Sequence, residues 1–284
     1  MTKTVRELLD WGREELRTAG IENPRFAAEV MLRALLNLRR IDLFLDINRT
    51  IDGDLAAKFR DMIGRKTYHE PLQYIVGSTE WYGLTIKCDR RALVPRPETE
   101  IVVEKALAIV KDCQAPRIAD IGTGTGCIAL AIAATREDAT VIATDLSPTA
   151  LQLAQENVIA HQFGHRILLR PGELLEPLGK EEFDLIISNP PYVRESEYPG
   201  LMPEVRDFEP RGALVGGADG LEAVRPLIEL APKNLKAGSA LVLEFGIDHA
   251  AAVTEIARKS GAYGAPEIII DYNRRPRGVI LTKP

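Results

Sequence analysis

The chain lacks the features that mark secreted and membrane-spanning proteins. It has three cysteines, none of them in a Cys-x-x-Cys pair, so neither a disulfide framework nor a zinc cluster is expected. The longest uncharged apolar run, Cys127 to Ala134, is far shorter than the roughly 20 residues of a membrane-spanning helix. The N-terminus has no apolar signal-peptide core. These absences predict a soluble cytoplasmic protein with no membrane partner.

An excess of charge of one sign is also missing. The formal net charge is −5, and residues 1–70 hold 13 Lys and Arg against 12 Asp and Glu. The remaining residues hold 23 against 29, a net charge of −6. A protein that wraps nucleic acid without sequence preference is expected to be strongly basic. No direct nucleic-acid partner is therefore expected.

What is present is the composition of a globular protein, with 45% apolar and 27% charged residues. A length of 284 residues suggests about two domains at about 150 residues each. Apolar residues near a 3.6-residue period and Ala- and Leu-rich stretches predict helices before residue 72. Gly and aromatic residues followed by Pro95 and Pro97 then indicate a hairpin and an extended linker. We predict a helical domain at 1–76, a hairpin and linker at 77–98, and a second domain at 99–284.

From residue 99 onward, short apolar runs alternate with helical patterns. This alternation predicts an α/β fold with a mostly parallel sheet covered on both faces. The predicted strands are Arg117–Ile121, Val141–Thr144, Arg166–Leu169, Phe183–Ser188, Ala240–Phe245, Glu267–Asp271 and Gly278–Thr282. The predicted helices are Cys127–Thr135, Pro148–His161, Leu221–Leu235 and Ala250–Ser260.

A glycine-rich turn follows the first of these strands. Its sequence is Asp120-Ile121-Gly122-Thr123-Gly124-Thr125-Gly126. Glycines at alternate positions allow a sharp turn and a close approach of the backbone to a ligand. The sequence matches neither the dinucleotide fingerprint GxGxxG nor the P-loop. The acid two residues before the first glycine suits a cationic or amino group better than a pyrophosphate.

A second acid, Asp145, ends the next strand. In doubly wound folds an acid at this place accepts hydrogen bonds from ribose hydroxyls, so turn and acid together predict an adenosine-type cofactor site. The alternative is a tight turn in which Asp145 caps the following helix. Ser147 could serve as that cap instead and leave Asp145 free.

The segment Ser188-Asn189-Pro190-Pro191-Tyr192 follows a strand directly. Two consecutive prolines have no N–H to donate, so carbonyl groups remain available past the carboxyl end of the strand, where open α/β sheets bind ligands. The Asn189 side chain adds another acceptor, and Tyr192 adds a flat ring. Two acceptors beside an aromatic face suit a planar NH2 group. The alternative is an ordinary proline-rich loop.

Together these segments resemble the class I S-adenosylmethionine-dependent methyltransferases that modify planar nitrogen. Further segments narrow the resemblance to the HemK/PrmC family, the protein-(glutamine-N5) methyltransferases of peptide chain release factors. They are 71–77 (Pro-Leu-Gln-Tyr-Ile-Val-Gly), 93–100 (Leu-Val-Pro-Arg-Pro-Glu-Thr-Glu), Glu209-Pro210, 216–221 (Gly-Gly-Ala-Asp-Gly-Leu) and 277–279 (Arg-Gly-Val).

The resemblance implies a helical domain that recognises the release factor and a class I, Rossmann-like methyltransferase domain. The expected substrate is the glutamine of the Gly-Gly-Gln loop in class 1 release factors, modified in the control of translation termination. The cofactor-binding residues implied are Asp120, Gly122, Thr123, Gly124, Thr125, Gly126, Asp145, Glu173, Leu174 and Asn189. The residues implied for catalysis are Asn189, Pro190 and Tyr192, and Pro191 joins them in binding the substrate. Glu173 stands where Asp is commoner, and Leu174 stands where some members have an aromatic residue.

An activated methyl donor needs no metal and no covalent intermediate, so we predict no metal site. We also predict no general-base histidine, and expect His69, His161, His165 and His249 at the surface or at helix ends. For Arg96 and Glu98 two interpretations stay open, a lid over the site and an ordinary linker ion pair.

Two alternatives to a glutamine methyltransferase remain. A nucleic-acid adenine-N6 methyltransferase would use the same Asn-Pro-Pro-Tyr acceptors on a flipped base. The negative charge of residues 71–284 and the lack of a basic recognition domain argue against it. The other alternative is a non-catalytic binding module, which the intact Asp120, glycine turn, Asp145 and Asn189 argue against.

Overall fold

The structure is a computed structural model that describes residues 3–284. The elements of its first part are β1 (Lys3–Thr4), α1 (Val5–Thr18), α2 (Pro24–Leu36), α3 (Arg40–Leu45), β2 (Thr50–Ile51), α4 (Gly53–Thr67), α5 (Leu72–Val76), β3 (Ser78–Trp81), β4 (Leu84–Lys87) and α6 (Pro97–Ile109). Those that follow are β5 (Arg117–Ile121), α7 (Cys127–Thr135), β6 (Thr140–Asp145), α8 (Pro148–Ala160), β7 (Ile167–Pro171), β8 (Phe183–Ser188), α9 (Pro203–Arg206), α10 (Val224–Leu230), β9 (Leu235–Glu244), α11 (Ala250–Ser260), β10 (Glu267–Ile270) and β11 (Pro276–Thr282).

The chain forms two compact units. The helical unit contains the residues up to Ser78 together with Met202–Phe208, and the sheet unit contains Thr79–Leu201 and Glu209–Pro284. In the helical unit, α1, α2 and α4 pack around fully buried side chains such as Leu8, Met31 and Phe59. The first two residues of the range predicted as the helical domain lie outside the described residues.

The Met202–Phe208 segment gives the helical unit a second stretch of chain. Within the unit, the Lys66 ammonium is almost fully buried and lies 2.7 Å from Glu204 Oε2. It also donates to the carbonyl oxygen of Glu70 at 3.1 Å. A buried ammonium group needs such acceptors because burial without them would be costly. The predicted range 99–284 placed this segment with the other domain, so the sequence did not reveal that the chain leaves the sheet unit and returns to it.

The sheet unit contains a seven-stranded sheet in the order β10-β11-β9-β8-β5-β6-β7. The strands from β9 to β7 pair in parallel, and β11 pairs antiparallel with both β9 and β10. Strand β9 is buried on both faces, with Leu241 and Leu243 in the core formed with α10 and α11. The prediction of an α/β fold with a mostly parallel sheet is confirmed. In the described part of the chain, no helix is long and apolar enough to cross a membrane.

Two element predictions were wrong. The single helix predicted at Leu221–Leu235 is shorter, and β9 already begins at Leu235. The chain turns there because the Asn234 side chain donates to the carbonyls of Gly179 and Glu181, which fixes the entry into the strand. Helix α6 begins within the predicted linker 77–98, at Pro97, and continues through residues for which no helix was predicted. Proline is well suited to the first turn of a helix, and Pro97 occupies that position.

Candidate functional site

The candidate site lies where the strand order of the sheet reverses. Strand β5 lies between β6 and β8. From β5 the chain adds β6 and β7 on one side and then crosses to add β8 on the other. Ile121 at the end of β5 pairs with Ser188 at the end of β8, and Ser188 Oγ donates to the Ile121 carbonyl oxygen at 2.7 Å. The glycine turn and the Asn-Pro-Pro-Tyr segment therefore begin side by side at the carboxyl edge of the sheet. This is the ligand-binding position of open α/β sheets.

The glycine turn has the left-handed backbone that its sequence predicts. Gly122, Gly124 and Gly126 have φ angles of 72°, 56° and 82°. A Cβ at Gly122 would meet no protein atom within 4 Å, and one at Gly124 would meet only the Ala92 methyl group, at 3.9 Å. The turn thus leaves an open surface beside its backbone, to which a ligand can come close. Glycine is required at position 126 for close packing, because a Cβ there would lie only 3.3 Å from the Ala154 Cβ in α8.

Asp120 lies beneath this turn and is fully buried. Its Oδ2 accepts from Thr123 Oγ1 at 2.5 Å and from the Ala129 backbone N–H at 3.2 Å. Its Oδ1 is buried without a hydrogen-bond partner among the described residues. Burial raises the pKa of Asp120 to about 7, although the two hydrogen bonds oppose the rise. An orphaned buried acceptor fits an amino group of a ligand.

Asp145 joins the same site from the end of β6. Its Oδ2 accepts from the Gly124 N–H and its Oδ1 from the Ser147 N–H, both at 2.8 Å. Burial raises its pKa. Ser147, not Asp145, caps α8, since its hydroxyl accepts from the Ala150 N–H. The capping alternative for Asp145 is thus contradicted, and its carboxylate ties the glycine turn to the next strand while keeping further lone pairs.

The other residues implied for the cofactor are placed as follows. Thr123 and Thr125 are buried within the turn, and the Thr125 carbonyl accepts from Asn157 Nδ2 at 2.9 Å. Glu173 is exposed and Leu174 half-buried just past β7, whose Pro171 pairs with Asp145. Leu174 has a φ of 45°, and its carbonyl accepts from Thr144 Oγ1 at 3.2 Å. Strand pairing therefore brings all these segments to one edge of the sheet.

The Asn-Pro-Pro-Tyr segment is fixed by contacts that the sequence did not suggest. Asn189 is half-buried, and its Nδ2 donates to Thr99 Oγ1 of α6 at 3.2 Å. A Cβ at Gly216 would collide with the carbonyl oxygen of Pro191, and a Cβ at Gly220 with that of Tyr192. The glycines at 216 and 220 are thus required so that their loop can lie against the backbone of the Asn-Pro-Pro-Tyr segment. The same loop was part of the family resemblance but had no role assigned.

Tyr192 is the aromatic residue of the site. Burial, and after it the charge of Glu244, raises the pKa of its phenol. His249, the N-cap residue of α11, lies beside it, as a Cβ at Gly246 would touch both rings. His249 is at a helix end, as predicted, but it is buried, and its Nε2 lies 3.1 Å from the Asp219 carbonyl oxygen.

Arg96 and Glu98 do not pair with each other. Arg96 lies 2.6 Å from the buried Glu209 carboxylate, and its own carbonyl accepts from the Trp81 indole at 2.8 Å. Glu98 lies 3.5 Å from Arg277. These ion pairs attach the start of α6 to two other parts of the sheet unit, and the lid over the site stays a prediction.

Two residues near Asn189 were not recognised as site residues from the sequence, Thr99 and Glu244. Glu244 ends β9 level with Asn189, since Leu243 pairs with Ser188. It is almost fully buried, and burial raises its pKa to about 7. Only the packing of α6 against β8 and β9 brings the three residues together, and segment 93–100 of the family resemblance, which contains Thr99, assigned it no role.

Comparisons with known proteins agree with this geometry. Residues 7–77 match the PrmC N-terminal domain family, and residues 100–201 match the methyltransferase small domain family. A release factor glutamine methyltransferase of Geobacter sulfurreducens is 41% identical over 258 residues, which cover 91% of this chain and 89% of that protein. Another, of Moorella thermoacetica, is 40% identical and covers 96% of both chains. The chain belongs to the release factor glutamine methyltransferases.

This family is one of S-adenosylmethionine-dependent methyltransferases, so the predicted family, fold class and enzyme class are confirmed. Among solved structures, the hMettl16 catalytic domain in complex with the MAT2A 3'UTR hairpin 6 has a TM-score of 0.58 at 16% identity, covering 83% of this chain and 84% of that one. A methyltransferase from Pyrococcus furiosus has a TM-score of 0.51 at 20% identity, covering 70% and 88%. At such identities the likeness of this glutamine methyltransferase to them shows the fold alone.

Proposed function

We propose that the protein transfers a methyl group from S-adenosylmethionine to the side-chain amide nitrogen (N5) of the glutamine in the Gly-Gly-Gln loop of class 1 peptide chain release factors. The observation that carries the proposal is the placement of Asn189 and the two prolines beside the glycine turn, at the point where the strand order reverses. Membership of the release factor glutamine methyltransferases supports it.

The residues at the carboxyl edge of β5, β6 and β7 suit the methyl donor. The orphaned Oδ1 of Asp120 is an acceptor for an amino group, and the open backbone at Gly122 and Gly124 admits a close ligand. Asp145 offers its remaining lone pairs to ribose hydroxyls. Glu173 and Leu174 follow β7 at the same edge and would flank the adenine. When bound, S-adenosylmethionine supplies a methyl group on a positively charged sulfur, which needs no metal activation.

The chain's own task is to hold a poor nucleophile. An amide nitrogen has a lone pair delocalised into its carbonyl, so alignment with the methyl group matters more than acid–base strength. Acceptors at the Asn189 side chain and the Pro190 carbonyl would hold both N–H bonds of the substrate amide and aim the nitrogen. Such positioning can lower a barrier by up to roughly 7–11 kcal/mol in favourable cases. The same acceptors stabilise the positive charge that develops on the nitrogen.

Tyr192 would cover the plane of the substrate amide and exclude water, with Pro191 continuing the surface. Its buried phenol stays neutral at physiological pH, because both burial and the nearby Glu244 carboxylate raise its pKa. We assign it no role in proton transfer. Asn189 would contribute to both the cofactor site and the substrate site, because it begins the Asn-Pro-Pro-Tyr segment beside the glycine turn.

The helical unit is proposed to recognise the release factor. The match of residues 7–77 to the PrmC N-terminal domain family supports a role shared across that family. We propose that the helical part recognises the release factor and that methyl transfer takes place in the remainder of the chain.

The test is transfer of labelled methyl from S-adenosylmethionine to three acceptors offered in parallel. They are an unmodified class 1 release factor, the same factor with the loop glutamine replaced by alanine, and DNA in duplex and single-stranded form. Label on the intact factor and none on the alanine variant is expected. Label on DNA would move the assignment to the adenine-N6 alternative, and cofactor binding without any transfer would favour the non-catalytic one.

A further inference from the structure

A buried amide side chain joins the glycine turn to the end of β4. It belongs to Asn157 of α8, which is 1% exposed and bonds to the backbone of Lys87 and Thr125. We propose that Asn157 is a positioning residue for S-adenosylmethionine, because it holds residues 88–96, the segment between β4 and α6, against the glycine turn. This inference rests on the proposed function, in which the glycine turn binds the cofactor.

The hydrogen bonds of the Asn157 amide fix its orientation. Its Oδ1 accepts from the Lys87 N–H at 2.8 Å. Its Nδ2 donates to the Lys87 carbonyl at 3.1 Å and to the Thr125 carbonyl at 2.9 Å. A turned amide would place its NH2 group against an N–H and its oxygen against two carbonyls, which forms no hydrogen bond. The amide therefore makes one fixed connection between β4 and the glycine turn.

This connection lies in the interior of the sheet unit. Lys87 is the last residue of β4, and both of its backbone polar groups bond to Asn157. Asn157 and Thr125 are almost fully buried, and a buried polar group that loses its partner is costly. The ion pair between Lys87 and Glu156 also joins β4 to α8, but both side chains are partly exposed, and such pairs contribute little.

The 88–96 segment begins directly after Lys87 and passes the open side of the glycine turn. The methyl group of Ala92 lies 3.9 Å from the place of a Cβ at Gly124, and no other described atom lies within 4 Å of that place. Ala92 is itself buried, in a small cluster with Ala150 and Leu153 of α8. The middle of the segment therefore borders the backbone to which a ligand can come close.

A second buried side chain holds the other end of the segment. The Glu209 carboxylate accepts from the Val94 N–H at 3.1 Å and from the Arg96 guanidinium at 2.6 Å. Its side chain is 2% exposed. The segment is thus fixed at both ends before any ligand arrives. A binding surface that the ligand does not have to order gives higher affinity, so release of either end should weaken cofactor binding.

The experiment compares Asn157→Leu with Asn234→Leu. Both replacements keep the approximate shape and remove a buried amide whose Nδ2 donates to two carbonyls, but Asn234 lies before β9, at the opposite edge of the sheet from the glycine turn. Both variants should unfold at a lower denaturant concentration than the wild type. N157L should bind S-adenosylmethionine about tenfold more weakly in titration calorimetry, and N234L should stay within about twofold of the wild type.

Asn157→Ser is a milder variant in case N157L does not fold. Serine keeps one donor in place of two, so S-adenosylmethionine affinity should fall by about threefold. Equal affinities in the wild type, N157S and N234L would contradict the positioning role, as would equal losses in N157L and N234L.

Hydrogen exchange of the backbone amides gives a measurement that does not depend on activity. Saturation of the wild type with S-adenosylmethionine should slow exchange in residues 88–96 and leave residues 261–266, the turn between α11 and β10, unchanged. In the absence of cofactor, residues 88–96 should exchange faster in N157L than in the wild type and N234L. A wild-type segment whose exchange does not respond to the cofactor overturns the inference, even if neither variant folds.

The same measurements separate this inference from the proposed function. If the wild type binds S-adenosylmethionine with these changes in exchange but labels no release factor, the proposed function fails and the positioning role of Asn157 stands. If the wild type labels the release factor while N157L binds the cofactor with full affinity, the proposed function stands and the positioning role fails.

Discussion

Two buried carboxyl groups lie near the ends of β5 and β9, the two strands that flank β8, and they differ in which parts of the chain surround them. Asp120 and Glu244 each have one oxygen without a partner among the described residues, and burial raises the pKa of each to about 7. The partners of Asp120 are Thr123 and Ala129, within the same turn and helix. The element that packs against the strand of Glu244 is α6, a helix far away in the sequence.

The difference separates two uses of a buried acid. Asp120 is held by the turn that it supports, so its free oxygen is oriented toward whatever binds against that turn. Glu244 is buried where α6 packs against β9, and Thr99 of α6 accepts from Asn189. We interpret the first acid as a ligand-binding group and the second as part of the packing beside Asn189.

The largest effect is expected at Asn189, the proposed acceptor for the substrate amide. Asn189→Ala removes a proposed acceptor for the substrate amide and should lower kcat by about 10³-fold, within the range seen when an electrostatic group of an active site is removed. The affinity for S-adenosylmethionine should change far less. Single-turnover methylation of a release factor measures the first quantity and calorimetry the second. Asn273→Ala, in an exposed turn, is the control and should match the wild type.

Glu244→Gln sharpens the comparison through stability. The folded-state pKa of Glu244 is raised from 4.5 to about 7, so the folded protein retains a proton that the unfolded chain has lost between these values. Wild-type stability therefore falls as the pH rises from 4.5 to 7. Relative to wild type, E244Q should gain about 2.5 kcal/mol in free energy of unfolding between pH 5 and pH 8. Denaturant unfolding measures this, and the exposed Glu267→Gln should parallel the wild type. Parallel curves for E244Q would contradict the burial argument.

Asp120→Asn tests the other acid with a change at one atom. The asparagine oxygen can keep the hydrogen bonds from Thr123 and Ala129, so the orphaned oxygen becomes an NH2 group. A donor would then face the amino group of the ligand, and the affinity for S-adenosylmethionine should fall by about 30-fold, or about 2 kcal/mol. Titration calorimetry measures the affinity, with the exposed Asp138→Asn as control. Unchanged affinity would mean that Asp120 only supports the turn.

The smallest effect is expected at Ser147. Its hydroxyl caps α8, and Ser147→Ala should lower the free energy of unfolding by about 1 kcal/mol. Cofactor affinity should not change, because the Ser147 N–H that bonds to Asp145 remains. Ser196→Ala, at an exposed site, should be neutral. A loss of cofactor affinity in S147A would show that the cap and the ligand site are one feature.

The sequence revealed those parts of the site that lie on continuous segments. The turn from Asp120 to Gly126 could be recognised because backbone conformation, glycine spacing and the acid are all local. The Asn-Pro-Pro-Tyr segment could be recognised for the same reason, and strands β5 and β8 were predicted with their observed bounds.

What could not be predicted depends on packing. Thr99 was hidden because prolines at 95 and 97 look like a linker, although Pro97 begins a helix. Glu244 belongs to a strand whose pattern is apolar, and nothing local tells a buried acid at its end from an exposed one. The break after α10 depends on the Asn234 side chain reaching the carbonyls of Gly179 and Glu181, which is also a tertiary contact.

The two-part helical unit has a consequence for biosynthesis. Its second stretch, Met202–Phe208, is translated long after the first, so the unit cannot be completed while the ribosome is still adding the strands in between. Until residue 208 emerges, Lys66 lacks the Glu204 carboxylate that it contacts in the finished fold. A chain that stalls between residues 79 and 201 would leave the buried Lys66 ammonium without this partner.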